Sequence, residues 1–143
     1  MSKADQAKFL IIFNKGGGEM AGSIIVGKNS HYNPLIDPEN EKLMGESMAS
    51  SYALCFGDTI IDVLEKSFPK IIPEITFVYE FMDTIDFSTL DKKSFNKVVN
   101  ILKKYFDKYQ NTKEDNTGKD IAKHVWLGQV YPYVLKDERY EAE

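Results

Sequence analysis

One stretch constrains the fold of this chain more than any other. Apolar and aromatic residues return at Phe95, Val98, Val99, Leu102, Tyr105, Phe106 and Tyr109, which is the 3.6-residue period of an amphipathic helix. Such a helix needs a second apolar surface to cover its stripe. Ser88, with Asp91 three residues later, fits an N-terminal capping pair ahead of it. The opposite face carries Lys93, Lys97, Lys104 and Lys108, with Lys92 and Lys103 to one side. A helix over roughly 92–108 is therefore expected, buried along one stripe and basic on the other.

The partners for that stripe come from the rest of the 143 residues, a length suited to one domain with its own core. Phe9 to Phe13 and Ser23 to Val26 are short β-favouring runs separated by Gly16, Gly17, Gly18 and Gly22, which predicts an N-terminal β-hairpin over 8–27. A glycine-rich loop can also cradle phosphate, but that mechanism needs a helix opening directly behind the loop, and here a second strand follows. His31 to Pro38 reads as a loop, because each proline pushes the residue before it out of the helical region. Asp37 and Pro38 then suit the cap and first residue of a helix running to about Lys66, with breaks possible at Gly45 or Gly57. On its wheel Ala49, Tyr52, Ala53, Phe56, Ile60, Val63 and Leu64 share the core side, whereas Asp58, Asp62 and Glu65 form an acidic ridge.

Glu74 to Asp86 fits two templates. Ile75, Phe77, Tyr79 and Phe81 alternate as in a strand, while Ile75, Val78, Met82 and Ile85 line one face of a helix with Pro73 in the first turn. The helix is the preferred reading, and an extended segment would give the hairpin a partner. Asn111 to Gly118 has the composition of an exposed, mobile loop. A final helix begins near Lys119 and includes Ile121, His124, Val125 and Leu127; Pro132 must bend or end it before a last turn over Tyr133 to Tyr140. The expected fold is thus α+β and mainly helical: a hairpin followed by four to five helices, the helical body at 38–140, packed as one domain over 1–143.

Chemistry is sparse in this composition. The two histidines, His31 and His124, have no serine, cysteine or carboxylate at a known catalytic spacing. One cysteine and two distant histidines make no zinc set, so neither metal nor cofactor is expected. Cys55, flanked by Leu54 and Phe56, reads as an inert buried thiol. The apolar run Phe9 to Phe13 is too short for a signal-peptide core, and no stretch approaches the ~18 apolar residues of a membrane span, which points to the cytoplasm and away from membranes.

Charge is unevenly laid out. Residues 37–91 hold 3 basic and 12 acidic side chains, and residues 92–124 hold 9 basic and 4 acidic, within a chain of net charge -4. An acidic middle third is either a solvated face or a docking surface for a basic partner. The lysine stripe of 92–108 suits phosphate contacts, but arginine, the bidentate reader of phosphates and bases, occurs once, at Arg139. A nucleic-acid or regulatory module built on that helix, and an enzyme built on His31, are the rival readings.

The segments DFSTLDKKSFNKVV (Asp86 to Val99) and VWLGQVYPYVLKDERY (Val125 to Tyr140) resemble the tail of small acidic bacterial immunity proteins, including those of contact-dependent growth inhibition systems. The resemblance implies a binding protein and no enzyme. Its partner would be a cognate toxin domain, often a nuclease, held with its active site or an adjacent surface blocked. The acidic middle third supplies the candidate contacts: Asp58, Asp62, Glu65, Glu80 and Asp83.

Overall fold

The computed structural model describes residues 21–28, 43–77, 79 and 83–142. Among the described residues three strands, β1 (Ala21–Lys28), β2 (Leu43–Ala49) and β3 (Thr84–Asp86), are combined with five α-helical segments. These are α1 (Ser50–Ser67), α2 (Ile72–Ile75), α3 (Lys92–Lys108), α4 (Gly118–Val125) and α5 (Tyr131–Val134), with a 3-10 turn at Pro69–Ile71 and a π-helical turn at Trp126–Val130. The architecture is α+β and mainly helical, as the periodicities predict.

β1 is the middle of the sheet, in the order β2-β1-β3. Its apolar run Ile24, Ile25 and Val26 is buried throughout, as a strand covered on both faces requires. The expected hairpin partner, Phe9 to Phe13, lies outside the described residues. The antiparallel neighbour within them is β2, paired from Ala21 with Ala49 to Ile25 with Gly45. A register shift between Ile25 and Gly27 then makes a bulge.

β2 corrects the expected helix from 38 to 66. The helical part begins at Ser50, and Leu43–Ala49 is extended. Glycine inside LMGESMA weakens a helix locally, and pairing with β1 supplies the backbone hydrogen bonds that a helix would otherwise provide. On α1 the buried residues include Ala53, Phe56, Ile60 and Leu64. Ala49 belongs to the strand, and Tyr52 is 49% exposed, so neither joins the core stripe.

The helix expected over Glu74 to Asp86 is corrected as well. One helical turn, Ile72–Ile75, is followed after Asp83 by the strand Thr84–Asp86, parallel to β1 with Ile24 opposite Ile85. Both local templates were half right because the strand is fixed by a partner some sixty residues away. Asp83, at φ 48°, occupies the left-handed region that aspartate tolerates better than most residues, and its carbonyl accepts the Ser23 N–H at 3.2 Å.

α3 forms where its period predicts, with Phe95, Val98, Val99, Leu102 and Phe106 buried. Its cap is Asp91, whose Oδ1 accepts the Ser94 N–H at 2.7 Å. Ser88 is no part of that cap: it is buried, and its N–H donates to Asp86 Oδ1 at 2.8 Å. Phe106 joins the layers, stacking on Phe56 of α1 (centroids 6.3 Å) and on Trp126 (5.6 Å). Pro132 stands in the first turn of α5, where its missing N–H costs nothing.

Two polar clasps close the fold. Asp120 is buried and accepts hydrogen bonds from Tyr109 Oη (2.9 Å), Thr112 N (2.8 Å), Thr112 Oγ1 and Thr117 N (3.0 Å), which fastens the loop of residues 111–117 expected to be mobile. At the C-terminal side, the Arg139 guanidinium donates to Asp137, to the Phe87 and Leu90 carbonyls, and to the Val26 carbonyl at the sheet bulge. It also lies 3.8 Å from the Phe95 ring centroid. One arginine thus ties the C-terminal segment to β1, α3 and the turn between β3 and α3.

Candidate functional site

The acidic ridge survives as a surface. Asp58, Asp62 and Glu65 are exposed on α1 at spacings of four and three residues, which places them on one side of the helix. Phe56, Ile60 and Leu64 occupy the other side and bury it, so packing forces the carboxylates outward. Leu54, one turn before Asp58 and 38% exposed, heads the same stripe, and Tyr52 is exposed nearby on α1.

Asp58 does not float free. The Tyr79 hydroxyl lies 2.8 Å from Asp58 Oδ1 and 3.0 Å from the Leu54 carbonyl oxygen, so it can donate to either. Tyr79 reaches this position because α1 carries glycine at 57: a Cβ there would sit 2.5 Å from the tyrosine ring. Burial, then the hydrogen bond to Asp58 and the charge behind it, raise the Tyr79 pKa far above its ordinary value. The hydroxyl therefore remains a donor and orients the carboxylate.

Asp83 joins this group through the same residue, its N–H donating to the Tyr79 carbonyl at 3.0 Å. Glu80, the remaining candidate, lies outside the described residues, as does His31. Sequence reasoning placed the carboxylates on a ridge but missed Tyr79. The available signal was Gly57, a helix-interior glycine that marks close approach by another group.

Cys55 is half-buried, and burial followed by the charge of Asp58 raises its pKa, which keeps it a thiol at neutral pH. His124 Nε2 contacts Asp115 at 3.0 Å on an exposed surface. Among the described residues no group of three His, Cys, Asp or Glu side chains could hold a metal ion, and no helix is long and apolar enough to cross a membrane.

The lysine stripe forms a second charged surface. Lys93, Lys97 and Lys104 line an open groove of about 730 Å³ along the outside of α3. Lys97 Nζ sits 4.2 Å above the Phe68 ring, Lys103 pairs with Asp107 at 3.1 Å, and Lys92 pairs with Glu141 at 2.5 Å. Comparison with protein-family models, curated proteins and solved structures finds no match for this chain.

Proposed function

We propose that the chain is an immunity protein of the contact-dependent growth inhibition kind. It would act in the bacterial cytoplasm by binding a cognate toxin domain, with no chemistry of its own. The observation that carries this reading is the stripe of Asp58, Asp62 and Glu65 on the solvent side of α1, with exposed Leu54 and Tyr52 beside it. A protein interface draws affinity from a few apolar or aromatic anchors and uses surrounding charge to guide encounter. The α1 face has both ingredients, and Tyr79 holds one carboxylate in place before a partner arrives. A nuclease fits as the partner because the cleft that takes nucleic acid is basic and meets carboxylates with complementary charge.

Co-expression tests the reading directly. On this reading the reading frame directly upstream encodes a large secreted protein, and its C-terminal domain is the toxin to use. The unaltered chain should restore growth, and the triple substitution Asp58→Lys, Asp62→Lys and Glu65→Lys should not, while its melting temperature stays within a few degrees of the parent. Protection by the triple variant equal to that of the parent would remove α1 from the interface. The absence of any such toxin gene beside this one, or no rescue by the unaltered chain, would end the immunity reading itself.

A further inference from the structure

We propose that the outer face of α3 is a docking track for an extended, acidic peptide segment of a partner protein, separate from the α1 face. The basis is that this face already holds a short piece of backbone, Arg139 to Glu141, contributed by the chain itself. Asn96 Nδ2 donates to the Arg139 carbonyl at 2.7 Å, and Asn96 Oδ1 accepts the Glu141 N–H at 2.8 Å. In an extended chain the C=O of one residue and the N–H two residues later point the same way, so a single side-chain amide takes both, as a neighbouring strand would. Lys92 then reads the acidic side chain, with Nζ 2.5 Å from Glu141 Oε1.

The same elements recur one helical turn along. Asn100 lies four residues beyond Asn96, an axial step of about 6 Å, while same-facing backbone groups of an extended peptide recur every two residues, about 6.6 Å apart. Asn100 is half-buried in the groove wall, and its amide makes no hydrogen bond among the described residues. Lys93, Lys97 and Lys104 also line the groove, and Ile101 provides an apolar floor. Amides for the backbone, lysines for carboxylates and a short apolar strip together describe the recognition of a peptide.

Single-stranded nucleic acid fits the same charge but not the same surface. Its bases stack on aromatic rings, and among the described residues no aromatic side chain lines the groove. Phe68, the ring nearest in charge terms, is covered by Lys97. Arginine, the planar fork that grips phosphate, is also missing from the lining, since Arg139 is turned into the fold.

Fluorescence anisotropy on the full chain at low salt separates these cases, using a labelled peptide of six Glu-Thr repeats and a labelled oligothymidylate of matched charge. The peptide should bind more tightly than the oligonucleotide. Asn100→Ala, which leaves net charge unchanged, should weaken the peptide about fivefold, the equivalent of one lost hydrogen bond. Lys93→Glu, Lys97→Glu and Lys104→Glu together should abolish measurable binding, with both variants melting like the parent. No binding of the peptide, or tighter binding of the oligonucleotide, would overturn the proposal. So would an Asn100→Ala variant that binds as the parent does, because the attraction would then be diffuse charge without a track.

Discussion

Arg139 is the only arginine of the chain, and most of its donors point inward. Its side chain is 16% exposed and that of Asp137 only 2%. Removing the guanidinium would strand the Asp137 carboxylate and leave the Val26, Phe87 and Leu90 carbonyls without this partner. Arg139→Met should therefore cost about 3–5 kcal/mol, the usual penalty for breaking a buried pair from one side, and lower the melting temperature by roughly 10 °C. Gly27→Ala should be comparably damaging, because a Cβ there would fall 1.9 Å from Asp137 Oδ2. A thermal melt of each variant checks this, and a shift of only a degree or two would mean that the clasp is dispensable. Ser88 behaves oppositely. Its Oγ is buried with no hydrogen-bond partner among the described residues, so Ser88→Ala removes an unmet polar group and should leave stability equal or higher by up to ~1 kcal/mol. A clear fall in melting temperature would show that the hydroxyl is satisfied. None of this was legible in the sequence, since Arg139 bonds mainly to backbone carbonyls and any residue can supply those.

Elements were readable in proportion to how locally they are determined. α3 is announced by its own period and by Asp91, and α1 by Ala53, Phe56, Ile60 and Leu64. β2 and β3 were not, because what makes them strands is β1, and a short apolar run fits either structure until its partner is known. The loop between α3 and α4 is exposed, as its polar composition predicts, but the group that gathers it, Asp120, was not legible because it belongs to the next helix. Thr117 and Asp120 form a reciprocal capping box at the start of α4, and Thr112 and Tyr109 complete the set. Burial alone would raise the Asp120 pKa; the hydrogen bonds from Thr112, Thr117 and Tyr109 outweigh it and hold the carboxyl well below its ordinary range. The sign of the pH dependence follows. An unfolded aspartate takes up its proton near pH ~3.9, whereas the folded one stays ionised to lower pH. The stabilisation is therefore present above about pH 4 and is lost as pH falls toward the folded value. Asp120→Asn should be clearly less stable than the parent at pH 7, and the gap should narrow at pH 3. Asp115, lowered first by Asn111 and then by His124, adds to the parent's acid limb but is common to both proteins. A gap between the two melts that does not change with pH would contradict this account.

At the scale of the whole molecule, the exposed carboxylates of α1 and the exposed lysines of α3 lie on the outward faces of one helix pair. α1 and α3 meet through Phe56 and Phe106. On α1 the residue facing away from that contact is Asp58, with Asp62 and Glu65 beside it; on α3 those facing away are Lys93, Lys97 and Lys104. The charge asymmetry legible in the sequence is therefore directional, the carboxylates and the lysines each pointing away from the shared aromatic contact. What sequence could not supply was that direction, because it depends on which faces the aromatic stack selects. Charge asymmetries of this kind act mainly on encounter rates and are screened over about 8–10 Å in ordinary salt. In binding to the proposed toxin, reversal of Asp58, Asp62 and Glu65 should lower the association rate constant about tenfold or more at low salt and flatten its salt dependence. Leu54→Ala, which removes an apolar anchor and no charge, should act instead on the dissociation rate. Reversal of Lys93, Lys97 and Lys104 makes the molecule more acidic overall, so a partner that senses only net charge would associate faster. A partner steered to α1 should respond to it far less than to reversal of the α1 carboxylates, since the change falls on α3 and is screened by salt. Stopped-flow association of the three variants distinguishes the two: rate constants that follow net charge alone, whichever helix is altered, would mean that the α1 face has no directing role.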